Sequence, residues 1–395
     1  MGKVNAQTLK RFLNATRDVY KRCSVVHNQG LGFYASPPDG KYPFIYTRDF
    51  SVAIVALSEL GDWTTAKKAC RFLLDCQCPT GEWVQRYGER AQRQERVIQE
   101  DNTPLATWAL LAYAGLSGDE GFRKAIRERV LTAADFMLGT TLHAHAYLAT
   151  THTSMHEAEV SEGFEIWNTC AHAKAFRLVA ETYGLSKYGR YADLIERAIR
   201  NLLTYDGRFL RRLDVHGNPD FRVDITLITP SYFDLCLPND PLARNSAALI
   251  ERVLKDPELG GYSRYLTFSD LETSILPGPW FLYTAWMARY HHLAGDRKKG
   301  DENLTWIMTN SKDFYLSEYI LTKPRWERYK DVYMKRVYAA EGRCLAACKK
   351  EFEKLSKQAE EGEVIYGVLP LLWAHVETLR ALQAGGYLQT FDLEG

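Results

Sequence analysis

Two acidic stretches far apart in the chain carry the residue types that acid–base chemistry on an acetal needs. In "KDFYLSEYILT" (312–322) Glu318 stands between aromatics, where desolvation raises a carboxyl pKa unless a partner holds it ionised. In "MHEAEVSEGFEIW" (155–167) Glu157, Glu159, Glu162 and Glu165 precede an apolar helix. One carboxyl must stay protonated to protonate a leaving oxygen, and another must stay ionised to activate water. Hydrolysis with inversion sets such a pair roughly 6.5–9.5 Å apart, leaving room for the water. The plainer readings are a buried, satisfied Glu318 and a set of loop and first-turn acids drawn to a helix dipole. Glu165, next to Ile166 and Trp167, stands at the expected helix start, where amide contacts lower a carboxyl pKa and disfavour a proton donor. Glu159 and Glu162 both lie far enough upstream to reach a leaving oxygen from a loop.

A third element could hold a polar substrate. "KYPFIYTRDF" (41–50) runs from aromatics into Arg48 and Asp49 and then into an apolar helix. Asp49 suits an N-cap, with Arg48 as its partner. The same pair can instead read vicinal hydroxyls, Arg48 as a forked donor and Asp49 as an acceptor. Aromatic-rich connections such as "GEWVQRY", "GGYSRYL" and "PGPWFLY" supply flat faces with polar edges, which suit sugar rings.

Helical periodicity must position these groups. It recurs near 5–22, 49–60, 62–76, 102–116, 119–138, 166–184, 187–204, 241–254, 279–293, 296–309, 331–358 and 370–384. In "LSELGDWTTAKKA", "YAGLSGDEGFRKA" and "YHHLAGDRKKGDE" a glycine ends one helix and a nearby Asp, Ser or Thr starts the next, which predicts antiparallel pairs. The alternate connections, 23–48, 77–101, 139–165, 205–240, 255–278 and 310–330, are long and hold much of the proline, many of the aromatics and several acids. Long connections alternating with short ones gather function on one face. The architecture this predicts is all-α: a six-hairpin toroid, or (α/α)6 barrel, as one domain over 1–395. A helical-repeat solenoid is the competitor, but no fixed-period consensus is present.

Composition narrows the partner. The 395 residues are 46% apolar and 12% aromatic, enough for a large core, and 50 Lys plus Arg balance 49 Asp plus Glu. Nothing in that balance draws nucleic acid or an anionic membrane, so a neutral or small polar partner fits better. The first twenty residues are amphipathic without a signal-peptide apolar core, and no run of about 18 apolar residues occurs, so a cytoplasmic location is expected. "CQC" (76–78) and "CLAAC" (344–348) lack the usual zinc-ligand spacing. Cysteine is expected as core filler, with no metal and no cofactor.

In their order along the chain these motifs resemble glycoside hydrolase family 15, the glucoamylase, glucodextranase and trehalase-like group, over nearly the full length. The resemblance implies that Arg48 and Asp49 of "YPFIYTRDF" hold a terminal glucose, with Tyr46 of the same element beside them. It adds Gln99 and Asp101 of "VIQEDNTPLATWALLAY", Arg264 and Tyr265 of "GGYSRYL", and Trp280 of "PGPWFLY" as sugar contacts. It makes Glu318 of "YLSEYI" the general base, and "LPLLWAHVETLRAL" is similar to a closing helix of the group. Counting along the motif favours Glu159 as general acid, with Glu162 next.

The chain also departs from that pattern. A Trp beside the acid and another before Gln99 are missing, and residues from about 324 to 363 read as an inserted amphipathic helix, a lid or an oligomer contact. The implied activity is an inverting exo-hydrolase releasing a terminal sugar from an α-linked oligosaccharide or disaccharide. The alternative is an inactive glycan-binding or regulatory relative. A homo-oligomer is left open.

Overall fold

The computed structural model describes residues 4–94, 99–152, 162–265, 278–339 and 342–393. Its helices, among the described residues, are α1 (Ala6–Cys23), α2 (Thr47–Glu59), α3 (Trp63–Cys76), α4 (Asn102–Ser117), α5 (Glu120–Ala125), α6 (Arg127–Phe136), α7 (Ile166–Tyr183), α8 (Ser186–Leu202), α9 (Thr229–Tyr232), α10 (Pro241–Leu254), α11 (Phe281–Leu293), α12 (Arg297–Asn310), α13 (Lys323–Ala339), α14 (Gly342–Glu361) and α15 (Leu372–Ala384).

The Gly-Asp hinges form as their chemistry requires. Past α2, Gly61 takes φ +82°, and the Asp62 carboxylate accepts the Thr65 N–H at 3.1 Å to cap α3. Gly118 and Gly295 take φ +66° and +83°, and Asp119 and Asp296 cap α5 and α12 in the same way.

Three expectations change. The helix expected at 119–138 is kinked into α5 and α6 at Ile126, whose N–H still reaches the Phe122 carbonyl at 3.0 Å, and it ends in a π-turn at Met137–Thr141. The one amphipathic helix expected within about 324–363 is two, α13 and α14, packed on each other. Asp49 does not cap α2. The helix begins two residues earlier at Thr47, which places Asp49 in the first turn.

Helix packing is cyclic. Helix α2 packs on α4, α4 on α7, α7 on α9, α9 on α11, α11 on α15, and α15 back on α2. The longer members of this ring, α2, α4, α7, α11 and α15, are buried around most of their circumference. Helices α1, α3, α8 and α10 instead bury one stripe, as an outer layer does. The centre of the ring is filled by Trp108, Trp167, Tyr232, Phe233 and Trp286 in mutual contact. Among them, Arg380 donates to Glu59 at 2.8 and 3.1 Å and to the Tyr232 hydroxyl at 2.8 Å, and Tyr232 donates to Glu377 at 2.6 Å.

The long connections carry short strand pairs at the N-terminal ends of the ring helices. Ile45–Tyr46 pairs with Arg86–Tyr87 and Tyr319–Thr322 with Val364–Gly367, while Gly163–Glu165 joins a four-stranded sheet. Cys23, Cys70, Cys76, Cys78 and Cys170 are buried, and burial pushes the Cys23 and Cys78 thiols up to about 12. No described helix is long and apolar enough to cross a membrane.

Candidate active site

Helix starts build one wall of the site. Arg48, in the first turn of α2, is buried and donates through Nε to Asp101 Oδ2 at 2.6 Å and through Nη2 to Gln99 Oε1 at 2.9 Å. Asp101 is fully buried at the start of α4 and also accepts the Trp167 indole N–H from α7 at 2.8 Å. Three ring helices are thus pinned by one carboxylate, and Arg48 arrives with its fork pre-oriented.

The opposite wall is a run of extended segments laid side by side. Antiparallel bridges link Lys255 to Tyr262, Tyr262 to Trp280 and Trp280 to Tyr319, and Tyr319 pairs in turn with Gly367. This run sets Arg264, Trp280 and Glu318 next to one another, the first two from the connection between α10 and α11 and the third from the connection after α12. At Gly278 the backbone passes so close to Ile320 that a Cβ would run into the Ile320 carbonyl oxygen. Only glycine fits there.

Between the walls lies a cavity of about 90 Å³, lined by Tyr42, Tyr46, Arg48, Asp49, Arg264, Trp280, Tyr283, Glu318 and Trp373. Of the residues singled out from the sequence, Tyr46, Arg48, Asp49, Arg264, Trp280 and Glu318 therefore meet. Gln99 and Asp101 stand behind Arg48, bonded to it. Tyr265 turns away from Arg264 into a neighbouring groove with Lys255, Arg325 and Tyr329. Glu159 lies outside the described residues. Glu162 is exposed, and its carbonyl accepts the Arg212 guanidinium at 3.1 Å. Glu165 is buried at the N-cap position of α7.

Glu318 is the buried carboxylate of the cavity. Its Oε1 accepts the Tyr42 hydroxyl at 2.9 Å, and its Oε2 is 3.9 Å from Lys41 Nζ. Burial raises its pKa above the usual carboxylate range, while Lys41, the Tyr42 bond and Arg264 oppose that rise. Burial alone would lower Lys41, but Tyr333, Glu318 and Glu351 outweigh it and hold the ammonium protonated. The loop bearing Glu318 is anchored by His375 on α15. Its Nε2 accepts the Leu316 N–H at 3.0 Å, which leaves Nδ1–H to meet Thr16 Oγ1 of α1 at 2.9 Å. Burial drives His375 down to about 3, so it is neutral as that pairing requires.

Lys41, Tyr42, Tyr283 and Trp373 were not singled out from the sequence. The first two open the same "KYPFIYTRDF" stretch that ends in Arg48 and Asp49, so position was their available signal. Next to Gln99, Glu100 is a further buried carboxyl with a raised pKa, owed to burial, and it is bonded to His152 Nδ1 at 2.7 Å.

No family model matches the chain. It is 23% identical over 326 residues to an uncharacterized glycosyl hydrolase of Methanocaldococcus jannaschii, an alignment covering 73% of this chain and 48% of the relative. The chain thus spans about half the length of that relative. A solved glycosidase, one variant of which was determined in complex with glucose, superimposes with a TM-score of 0.71 at 17% identity, covering 97% of this chain and 99% of that one. A bacterial glucoamylase complexed with acarbose superimposes at 0.66 and 16% identity, over 97% of this chain and 56% of that one. The chain has the fold of these glycosidases.

Proposed function

We propose that the protein is an inverting, exo-acting glycoside hydrolase of the family 15 type, built on an (α/α)6 barrel and releasing a terminal sugar, glucose by its motifs, from α-linked glucosides. The observation that carries this reading is the cavity whose Tyr283 and Trp373 pack on Trp286 of the filled ring centre. In it a buried carboxylate, held by a phenol and a cation, faces an Arg-Asp pair and Arg264 between aromatic walls. The likeness to glycosidases in fold and the M. jannaschii relative support the same class.

In this reading Arg48, Asp49 and Arg264 take hydroxyls of the terminal sugar, and Trp280 and Trp373 line its faces. Glu318 removes a proton from water as the water oxygen bonds to the anomeric carbon. The glycosidic bond breaks, and the leaving oxygen takes a proton from Glu159, or from Glu162 if the spacing shifts by three. A Glu318 held above the ordinary range is a stronger base than a solvated glutamate, provided Lys41 keeps it ionised.

A panel of maltose, isomaltose, trehalose and longer α-glucans followed by NMR tests the proposal. The β-anomer is expected first, and Glu318→Gln should lower kcat at least ~100-fold, since general-base catalysis contributes about 10²–10⁴. Release of the α-anomer, or unchanged turnover in folded Glu318→Gln, overturns it. Sugar binding without hydrolysis by wild type overturns it in favour of a glycan-binding protein.

A further inference from the structure

The pair α13–α14 has no part in the reaction just described, yet it reaches the base by two routes. Trp326 and Tyr333 of α13 and Phe352 of α14 form an aromatic cluster with ring centroids 5.4–6.1 Å apart, which seats the pair firmly. Glu351 of α14 is only 4% exposed, and its Oε1 accepts the Val368 N–H at 2.6 Å. Val368 stands at φ +33°, a region that a β-branched residue enters only when its surroundings force it. The carbonyls of Val368 and Gly367 both accept the Glu318 N–H, at 3.1 and 3.0 Å. At Gly367 a Cβ would run into the Tyr319 ring, so the backbone is packed directly against the residue after the base. On the side-chain route, Lys41 sits 5.6 Å from the Tyr333 ring centre and 3.9 Å from Glu318.

We propose that Glu351 is a positioning residue for the base: by holding the Val368 amide it fixes the 367–368 backbone from which Glu318 hangs, and the inserted pair exists to deliver it. The proposal rests on the reading of Glu318 as base. Among the described residues, the charged and titratable groups facing Glu318 are Lys41 and Tyr42 from the connection before α2, Arg264 from the connection after α10, Tyr283 from α11, Tyr333 from α13 and Glu351 itself. Because the Glu351 anion raises the proton affinity of Glu318, removing its charge alone should move the acid limb of the kcat/KM profile to lower pH.

The test separates acceptor from charge. Glu351→Gln keeps an oxygen for the Val368 amide, so kcat should stay within about threefold of wild type while the acid limb falls. Glu351→Ala loses the acceptor, and kcat should drop ~10–100-fold at nearly constant KM, the scale expected of a misplaced catalytic group. Hydrogen exchange of the peptide spanning residues 315–321 should quicken at least tenfold in Glu351→Ala and stay near wild type in Glu351→Gln, with α2 and α4 protected in both. Should Glu351→Ala not fold, Glu351→Asp, one methylene short of the amide, gives the same contrast. Wild-type kcat and exchange in the short variant, or equal losses in Glu351→Gln, overturn the proposal. If wild type hydrolyses no glycoside, the enzymatic reading fails by itself, and the exchange contrast still decides the positioning claim.

Discussion

Replacing Lys41 by methionine isolates one contribution to the chemistry of Glu318. The ammonium lies 3.9 Å from Oε2, with the two side chains only 16% and 10% exposed. At an effective dielectric of about 20, unit charges at that separation attract by about 4 kcal/mol, or about three pKa units. Tyr42 and Arg264 remain to stabilise the carboxylate, and the surroundings relax, so an upward move of about 1–2 units is expected. The sign follows from the base having to be ionised: without the cation the carboxylate is harder to form, and activity is lost at higher pH. The assay is kcat/KM against pH, which reports groups of the free enzyme. The acid limb of Lys41→Met should move up by about 1–2 units with the plateau largely kept, and Lys41→Arg should move it less. An acid limb that stays in place, or moves down, refutes the assignment of Lys41 as the cation that keeps Glu318 ionised.

Three further outcomes follow from the same geometry. Asp101→Ala leaves the Arg48 guanidinium buried without its carboxylate, so denaturant unfolding should show a loss of about 3–5 kcal/mol. A loss under about 1 kcal/mol would contradict that role. His375 and His172 are pushed by burial to about 3 and about 4, against 6.5 when unfolded, so the unfolded chain binds more protons between these values. Their contribution is complete above pH 6.5 and is lost as pH falls, by up to about 1.4 kcal/mol per unit for each histidine, and Tm measured from pH 7 to 5 should decline. For the acid, Glu159→Gln should slow substrates with poor leaving groups far more than activated aryl glycosides and remove the basic limb, with Glu162→Gln chiefly weakening binding. The reverse pattern exchanges their roles.

Much of the scaffold was legible because helix ends are local chemistry. Gly61, Gly118 and Gly295 with the Asp after each mark hinges by backbone conformation and capping alone. The meeting of Arg48, Asp49, Arg264, Trp280 and Glu318 followed from motif order. Tyr265 could not be placed in that way, because neighbours in an extended segment point to opposite sides, and Arg264 already takes the cavity. Asp49, for which capping was the secondary reading, lies inside the first turn because two residues of strand pairing, Ile45 and Tyr46 against Arg86 and Tyr87, lead directly into α2. Gln99 and Asp101 were expected at the sugar from the resemblance, and packing adds what the motif does not carry, that both accept from Arg48. The role of Glu351 was invisible, since a glutamate in "KKEFEK" on an amphipathic helix reads as solvated until the partner amide, seventeen residues on, is known.

The bond from Thr16 to His375 spans 359 residues, and His375 in turn holds the amide of Leu316, two residues before Glu318. During synthesis α1 therefore waits for α15 to pair with it, the ring closes only when α15 packs on α2, and the loop of Glu318 lacks its anchor until that helix has emerged. Contacts of such long sequence separation form late and slowly. A nascent chain stalled before residue 375 already carries Arg48, Asp49 and Glu318 but lacks the imidazole that anchors the Glu318 loop, so the proposed site is complete only once α15 has been made.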